Sequence, residues 1–104
     1  MQIRISTRHG NISDKTNVWV TEKLEKLTRF FDRLTDIEVT IDLEHRDSPR
    51  VDLRVSAEHK HDFVATDQSE DLMISIDKVV DKMEQQLRKY KEKVRDRHRV
   101  SGNK

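Results

Sequence analysis

Residues 72–94 read LMISIDKVVDKMEQQLRKYKEKV, and this stretch decides the fold. Its apolar side chains recur at steps of three or four residues, which places them on one stripe of an α-helix. The stripe consists of Leu72, Ile76, Val79, Met83, Leu87, Tyr90 and Val94. The segment therefore predicts an amphipathic helix that buries one side.

Four lysines share one flank of this stripe and form what we call the lysine row: Lys78, Lys82, Lys89 and Lys93. At about 100° per residue they fall within a strip roughly 60° wide, which contains no Asp or Glu between residues 76 and 94. At 1.5 Å per residue the row is about 22 Å long, enough to follow several phosphates. Two interpretations stay open from these residues alone: a solvated charged face and an anion-binding surface.

The first third of the chain predicts a strand followed by a helix. Residues 2–7 alternate between polar and apolar side chains, as in a short strand. Ser13 is expected to cap a helix that begins at Asp14, whose carboxylate suits the positive end of the helix. Apolar side chains at steps of three and four residues carry this helix to about Leu34.

The middle of the chain predicts three strands. Residues 37–44 and 51–58 alternate between apolar and polar side chains, which indicates two half-buried strands. Residues 63–65 predict a fourth, shorter strand. We expect either Asp67 or Ser69 to cap the final helix. The acidic side chains on the outer face of these strands predict a solvated surface, or a negative shield that repels phosphates from the wrong face.

This order of strand, helix, three strands and helix predicts a two-layer α+β sandwich. The first helix supplies a crossover, so the first two strands should be parallel and the other connections should be hairpins. Because each strand has one apolar face, two helices cover one face of a four-stranded mixed sheet, and their cations should project outward as one ridge. We expect a single domain over residues 1–95 and a basic, flexible tail over residues 96–104.

Composition and charge narrow the classes of function. Of the 104 residues 39% are charged and none is cysteine, and no stretch approaches the ~20 apolar residues of a membrane span. Residues 1–34 carry 7 Lys/Arg and 4 Asp/Glu, residues 35–75 carry 4 and 11, and residues 76–104 carry 10 and 5. Two basic helical segments that flank an acidic middle suggest that one face meets a polyanion. We expect a cytoplasmic protein.

Cations also follow one side of the first helix. Trp19, Lys23, Lys26, Phe30 and Arg33 recur at steps of three and four residues, and Arg29 borders them. The aromatic rings could stack on bases or brace the arginines. Alternatively, Trp19 and Phe30 widen the apolar stripe and cover the edge of the core. The lysines can reach phosphates under either interpretation.

Neither a metal site nor a catalytic site is expected. His59 and His61 lie two residues apart, and a third ligand would have to come from His45 or a carboxylate, a spacing that is common by chance. Only two glycines are present, which excludes a glycine-rich phosphate loop, and no Ser-His-Asp or paired-carboxylate arrangement stands out. We therefore predict a protein that is not an enzyme and needs no cofactor.

With these elements in order, the chain resembles the ribosome hibernation promoting factors, also called ribosome-associated inhibitors, in their short form. The resemblance covers about residues 1–95. It is carried by Phe-Asp-Arg-Leu at 31–34, by Asp-Leu-Met-Ile-Ser-Ile-Asp at 71–77, and by Asp81, Lys82, Met83, Glu84, Gln86, Leu87, Lys89 and Lys93. It implies a fold similar to the double-stranded RNA-binding domain with an added first strand.

The resemblance also implies a function and a partner. Family members bind the small ribosomal subunit in its messenger and transfer RNA channel, near the decoding centre, and inhibit translation in idle ribosomes. Basic residues of both helices contact ribosomal RNA. By this resemblance and by the helical spacing, the expected contact residues are Lys23, Lys26, Arg29, Arg33, Lys78, Lys82, Arg88, Lys89, Lys91 and Lys93. We expect a monomer when free, with no membrane and no small-molecule substrate as partner.

Two other functions remain as alternatives to a translation inhibitor. One is a general module that binds double-stranded RNA. The other is a protein-interaction domain that modulates transcription, which would not require the lysine row.

Overall fold

The computed structural model describes the backbone of residues 1–31, 33–58 and 61–102, and their side chains except at positions 30, 61 and 94–102. Within these residues six elements follow one another along the chain. They are β1 (Gln2–Arg8), α1 (Asp14–Phe30), β2 (Leu34–Asp42), β3 (Arg50–Ala57), β4 (His61–Gln68) and α2 (Leu72–Gly102). The predicted order of elements is confirmed. The fourth strand, expected to be short, contains 8 residues and is as long as β3.

In the described part of the chain, the strands form one four-stranded sheet in the order β1-β2-β3-β4. Strand β1 pairs with β2 in parallel, whereas β2 with β3 and β3 with β4 pair antiparallel. Ile5 stands opposite Val39, Val39 opposite Leu53, and Leu53 opposite Ala65. This register aligns the apolar side chains of neighbouring strands on one face, and the predicted mixed sheet is confirmed.

Both helices cover that apolar face. Helix α1 lies against β1 and α2, and α2 lies against β3 and β4. The buried side chains of α1 and α2 come from the predicted stripes and meet Ile37, Val39, Ile41, Val51, Leu53 and Val55 of the sheet. Along β2 and β3 the alternate residues are partly or fully exposed, so the opposite face of the sheet is open to solvent. The molecule is therefore the predicted two-layer sandwich.

Helix α1 begins where the sequence indicates and ends earlier. The Ser13 hydroxyl accepts a hydrogen bond from the backbone N–H of Thr16 at 3.1 Å, which confirms the predicted cap. The helix ends at Phe30, and Leu34 opens β2 opposite Ala57. The predicted end near Leu34 was wrong. Leu34 follows Phe31 by three residues and so fits the apolar spacing of a helix, but it is buried as the first residue of a strand.

The cap of α2 is neither of the two predicted residues. Asp71 accepts a hydrogen bond from the backbone N–H of Met73 at 2.9 Å, one residue before the helix starts. Asp67 lies within β4. The Ser69 hydroxyl bonds the backbone of Asp71 and the hydroxyl of buried Ser75, so it shapes the turn before the helix.

Helix α2 is longer than its apolar stripe predicts. It reaches Gly102, and residues 96–102, expected as a flexible tail, continue its backbone. Residues 103 and 104 and the side chain of Val94 lie outside the described residues. The mobility expected for residues 96–104, and the domain boundary at 95, stay predictions. Over the described residues, none of the helices combines the length and the apolarity that a bilayer crossing requires.

Candidate nucleic-acid interface

The two helices lie side by side with their N-terminal ends at the same end of the molecule. Lys23 Nζ lies 3.1 Å from Asp77 Oδ1. Further along both chains, eight residues after Lys23 and thirteen after Asp77, the ring of Phe31 contacts the ring of Tyr90 with centroids 5.9 Å apart. Contacts that advance together along both helices require parallel chain directions. The helical layer therefore presents the outward sides of α1 and α2 as one surface, which we call the helical face.

The predicted contact residues in and just after α1 divide into one that is paired and three that are exposed. Lys23 is half-buried, forms the ion pair with Asp77, and holds its ammonium 5.2 Å from the centre of the Trp19 ring. Lys26, Arg29 and Arg33 are exposed. Trp19 is partly buried and packs against the core, as in the interpretation in which it covers the core edge. The side chain of Phe30 lies outside the described residues.

The lysine row also divides. Lys78, Lys89 and Lys93 are exposed, and among the described side chains none forms an ion pair with them. Lys82 instead reaches the sheet: its ammonium donates to the backbone carbonyl of Thr66 at 2.8 Å and lies 3.5 Å from Asp67 Oδ1. The sequence could not show this, because Asp67 is fifteen residues away in another element.

Lys82 and Gln86 together cover the edge of β4. The Gln86 amide donates to the carbonyl of Val64 at 2.9 Å, one turn of α2 after Lys82 reaches Thr66. Four residues of helix rise about 6 Å and two residues of strand about 6.6 Å, so the two spacings match. These bonds satisfy carbonyls that would otherwise lie open at a sheet edge. Lys82 is therefore a structural residue that fastens α2 to β4.

Acidic side chains separate the cations of α1 from the lysine row. Asp77 faces α1, because it pairs with Lys23. At about 100° per residue, Asp81 and Glu84 lie on the same flank of α2 as Asp77. Instead of the predicted single ridge, the helical face carries two cationic rows, separated by a mainly acidic strip in which Asp77, Asp81 and Glu84 accompany Arg88. The arginine at position 88 and the lysine at position 91 are both exposed.

The open face of the sheet pairs its charges across neighbouring strands. Arg4 lies 2.8 Å from Asp36 and 3.5 Å from Glu38, and Arg54 lies 2.9 Å from Asp62. The face carries arginines and acids in near balance: Arg4, Arg8, Arg50 and Arg54 against Asp36, Glu38, Asp42, Asp52 and Asp62. The expected negative shield is therefore largely neutralised. Sequence patterns missed this because each partner belongs to another strand.

Two groups on this side have displaced pKa values. The hydrogen bond and the charge of Asp62 raise the pKa of the Arg54 guanidinium. The hydrogen bond from His9 at 2.9 Å, followed by the backbone N–H of Glu44 at 3.0 Å, lowers the pKa of Asp42. Both shifts favour the charged form, so these residues stay ionised near neutral pH.

A group of potential metal ligands lies beside this face. Side-chain ligand atoms of His9, Asp42 and Glu44 lie within 4.8 Å of one another. All three residues are exposed or half-buried, and His9 is already hydrogen-bonded to Asp42, so the group is explained as a surface hydrogen-bonded pair with Glu44 beside it. Of the histidines considered from sequence, the ring of His61 and all of His59 lie outside the described residues. The absence of a metal site stays a prediction.

Comparisons with known proteins point to one family. The family profile described as sigma 54 modulation protein / S30EA ribosomal protein matches residues 3–95. The ribosome hibernation promoting factor of Azotobacter vinelandii is 35% identical over 94 residues, which cover 89% of this chain and 85% of that protein. The protein of the same name in Escherichia coli K12 is 29% identical over 96 residues, which cover 91% of this chain and 98% of that protein.

Solved structures share the fold. A ribosomal subunit interface protein from Coxiella burnetii superposes with a TM-score of 0.79 at 24% identity, over 88% of this chain and 99% of that one. The N-terminal domain of Protein Y from Thermus thermophilus superposes with a TM-score of 0.75 at 25% identity, over 86% of this chain and 99% of that one.

Proposed function

The chain belongs to the sigma 54 modulation protein / S30EA ribosomal protein family, and we propose that it is a ribosome hibernation factor. Its relatives carry the name ribosome hibernation promoting factor. In this proposal the helical face binds the small ribosomal subunit in the messenger and transfer RNA channel, near the decoding centre. The protein acts in the cytoplasm, and it silences idle ribosomes by occupying the channel, without catalysing a reaction.

The observation that supports this proposal is the contrast between the two faces. On the helical face, Lys26, Lys78 and Lys89 are exposed, and their neighbours Arg29, Arg33 and Lys93 extend both rows. On the open face, Arg4 and Arg54 are already held by carboxylates. A polyanion gains most from cations that have no acidic neighbour to displace, so RNA phosphates should choose the helical face.

The two rows suit phosphate binding better than base recognition. Long, flexible lysines that project from a helix neutralise phosphates but read no base sequence. Lys23 and Lys82 are assigned no direct RNA contact, because their ammonium groups already contact Asp77 and Asp67 within the protein. We propose direct contacts for the members of the predicted set other than Lys23 and Lys82, which are Lys26, Arg29, Arg33, Lys78, Arg88, Lys89, Lys91 and Lys93.

Occupancy is the simplest mechanism for such a surface. A folded domain that fills the channel excludes messenger and transfer RNA sterically. If about 6–8 phosphates are contacted, the logarithm of the association constant should fall with the logarithm of the salt concentration at a slope of roughly −4 to −7. Dissociation on ribosome reactivation would then need only competition for the same phosphates.

Cosedimentation with isolated small subunits tests the proposal. The variant K78Q/K89Q/K93Q removes the three lysines of the row that make no contact with the sheet among the described residues, and it keeps Lys82, so α2 stays attached to β4. The matched control R8Q/R46Q/R50Q removes the same charge from the open face and its adjoining turn. At moderate salt we expect the first variant to remain in the supernatant and the control to sediment with the small subunits. Equal retention of both variants would contradict the assignment of the face.

The same proteins separate the alternatives. A general double-stranded RNA-binding module would bind an isolated RNA duplex as tightly as it binds small subunits in a gel-shift comparison. A protein-interaction domain that modulates transcription would form a complex that survives nuclease treatment and is insensitive to K78Q/K89Q/K93Q. A ribosome hibernation factor should prefer intact small subunits, and addition of the protein should inhibit translation in a purified system.

A further inference from the structure

Helix α2 extends past the body of the molecule. Among the described side chains its last core contact is Tyr90, whose ring meets Phe31 and Phe63 with centroids 5.9 and 5.3 Å away. Lys91, Glu92 and Lys93 are exposed, and the helical backbone continues to Gly102. Twelve residues of helix after Tyr90 are about 18 Å long. We call this projecting segment, residues 91–102, the basic arm.

The arm has a charge pattern of its own. Its sequence is KEKVRDRHRVSG, with five Lys/Arg against two Asp/Glu. Arg97 follows Lys93 by four residues and so continues the line of the lysine row in helical register. Arg95 and Arg99, also four residues apart, occupy a second line. In helical register, the arm therefore carries two lines of cations beyond the end of the sandwich.

Among the described side chains, packing against the core ends before this segment. The buried core of the described residues ends at Leu87, with Tyr90 partly buried against it. The match to the family profile ends at residue 95, so most of the arm lies outside that profile match. An isolated helix of about twelve residues is marginal in water, and clustered like charges weaken it further. A polyanion would remove that repulsion.

The composition of the arm selects the kind of partner. Val94 and Val100 are its only apolar residues and stand six apart, so no apolar stripe exists for a membrane surface or a hydrophobic groove. Arginines suit phosphates because the guanidinium binds two oxygens at once. Resting on the proposed function, we propose that the basic arm is a second RNA-binding element, which contacts ribosomal RNA phosphates beyond the reach of the sandwich.

The test compares R95Q/R97Q/R99Q with the matched control R8Q/R46Q/R50Q, which removes the same charge elsewhere. Binding of each protein to small subunits and to protein-free small-subunit ribosomal RNA is measured as a function of salt. The arm variant should show a log–log salt slope shallower by about 2–3 on both targets, whereas the control should match the wild type. Circular dichroism and thermal unfolding verify that both variants retain the folded body.

The proposed function and the role of the basic arm are tested by separate measurements. The proposed function is judged by whether the wild-type protein binds small subunits. The arm is judged by the difference in slope between wild type and variant on protein-free ribosomal RNA. Equal slopes on that RNA would overturn the inference. If the arm variant weakened only the binding to whole small subunits, the arm would contact a ribosomal protein, and the inference would be overturned as well.

Discussion

The helical face and the open sheet face carry similar kinds of residues but use them differently. In the sheet, registered strands bring Arg4 beside Asp36 and Arg54 beside Asp62, so charges cancel within the molecule. On the helices, Lys78 and Lys89 are exposed, and Asp77, Asp81 and Glu84 lie on the other flank of α2. What distinguishes a docking surface here is therefore the arrangement of the charges, since the net charge of the chain is only +1.

Removal of both cationic rows from the helical face should have the largest effect on binding to small subunits. The variant K26Q/R29Q/R33Q/K78Q/K89Q/K93Q should lose binding to small subunits, with a salt slope shallower by about 5. Because an acidic strip separates the rows, the effects of the two half-variants on the binding free energy should add. Titration of fluorescently labelled protein with small subunits measures this. A slope near that of the wild type would show that the docking surface lies elsewhere.

Loss of Lys82 should affect stability more than it affects binding. Lys82→Ala leaves the carbonyl of Thr66 and the largely buried carboxylate of Asp67 without their partner, and one oxygen of Asp67 already has none in the described structure. Because Lys82 is half-exposed, the cost is about 1 kcal/mol of unfolding free energy. Urea unfolding followed by circular dichroism measures it. Lys78→Ala, which breaks no such contact, should change the unfolding free energy by less than about 0.5 kcal/mol.

The Asp42 carboxylate should give the open face a dependence on acidic pH. Its folded pKa lies below the ordinary value of 3.8, so its contribution to stability is present above that value and is lost as the pH falls through the lowered pKa. Asp42→Asn should therefore be less stable than wild type at about pH 5, and the difference should disappear at the acid limit. Thermal unfolding across this range tests it, with Asp47→Asn in the exposed turn as control. A difference that grows towards low pH would contradict the assigned hydrogen bonds.

Disruption of one ion pair on the open face should have the smallest effect. Arg54→Gln removes the partner of Asp62, a pair that is exposed to solvent and screened by salt. We expect a slightly lower midpoint of thermal unfolding and an unchanged affinity for small subunits. Loss of affinity comparable to that of Lys89→Gln would show that the open face takes part in docking.

The sequence was sufficient for most local features, although the cap of α2 at Asp71 was not predicted. The cap at Ser13 depends on a residue three positions away, and the stripes of both helices depend on steps of three and four residues, so both could be read directly. Leu34 marks the limit of that reasoning, because an apolar residue in helical phase also suits the start of a strand. The element order and the mixed sheet follow from such local patterns taken together.

The distribution of charge could not be read in the same way. Whether a lysine is available to a ligand depends on residues brought near by the fold, such as Asp77 beside Lys23 and Asp67 beside Lys82. The spacing of α2 alone makes Lys82 equivalent to Lys78 and Lys89, and only the position of β4 distinguishes them. Neutralisation of the open face is likewise a property of strand register.

Accessibility of single thiols on the bound protein tests the central claim most directly. The chain contains no cysteine, so Gln85→Cys on the helical face and Thr40→Cys on the open face each create a unique probe. Each variant is modified with a small maleimide alone and in complex with small subunits. The account predicts that binding strongly slows modification of the helical-face thiol and leaves the open-face thiol nearly as reactive as in the isolated protein. Protection of the open-face thiol with continued reactivity of the helical-face thiol would contradict it.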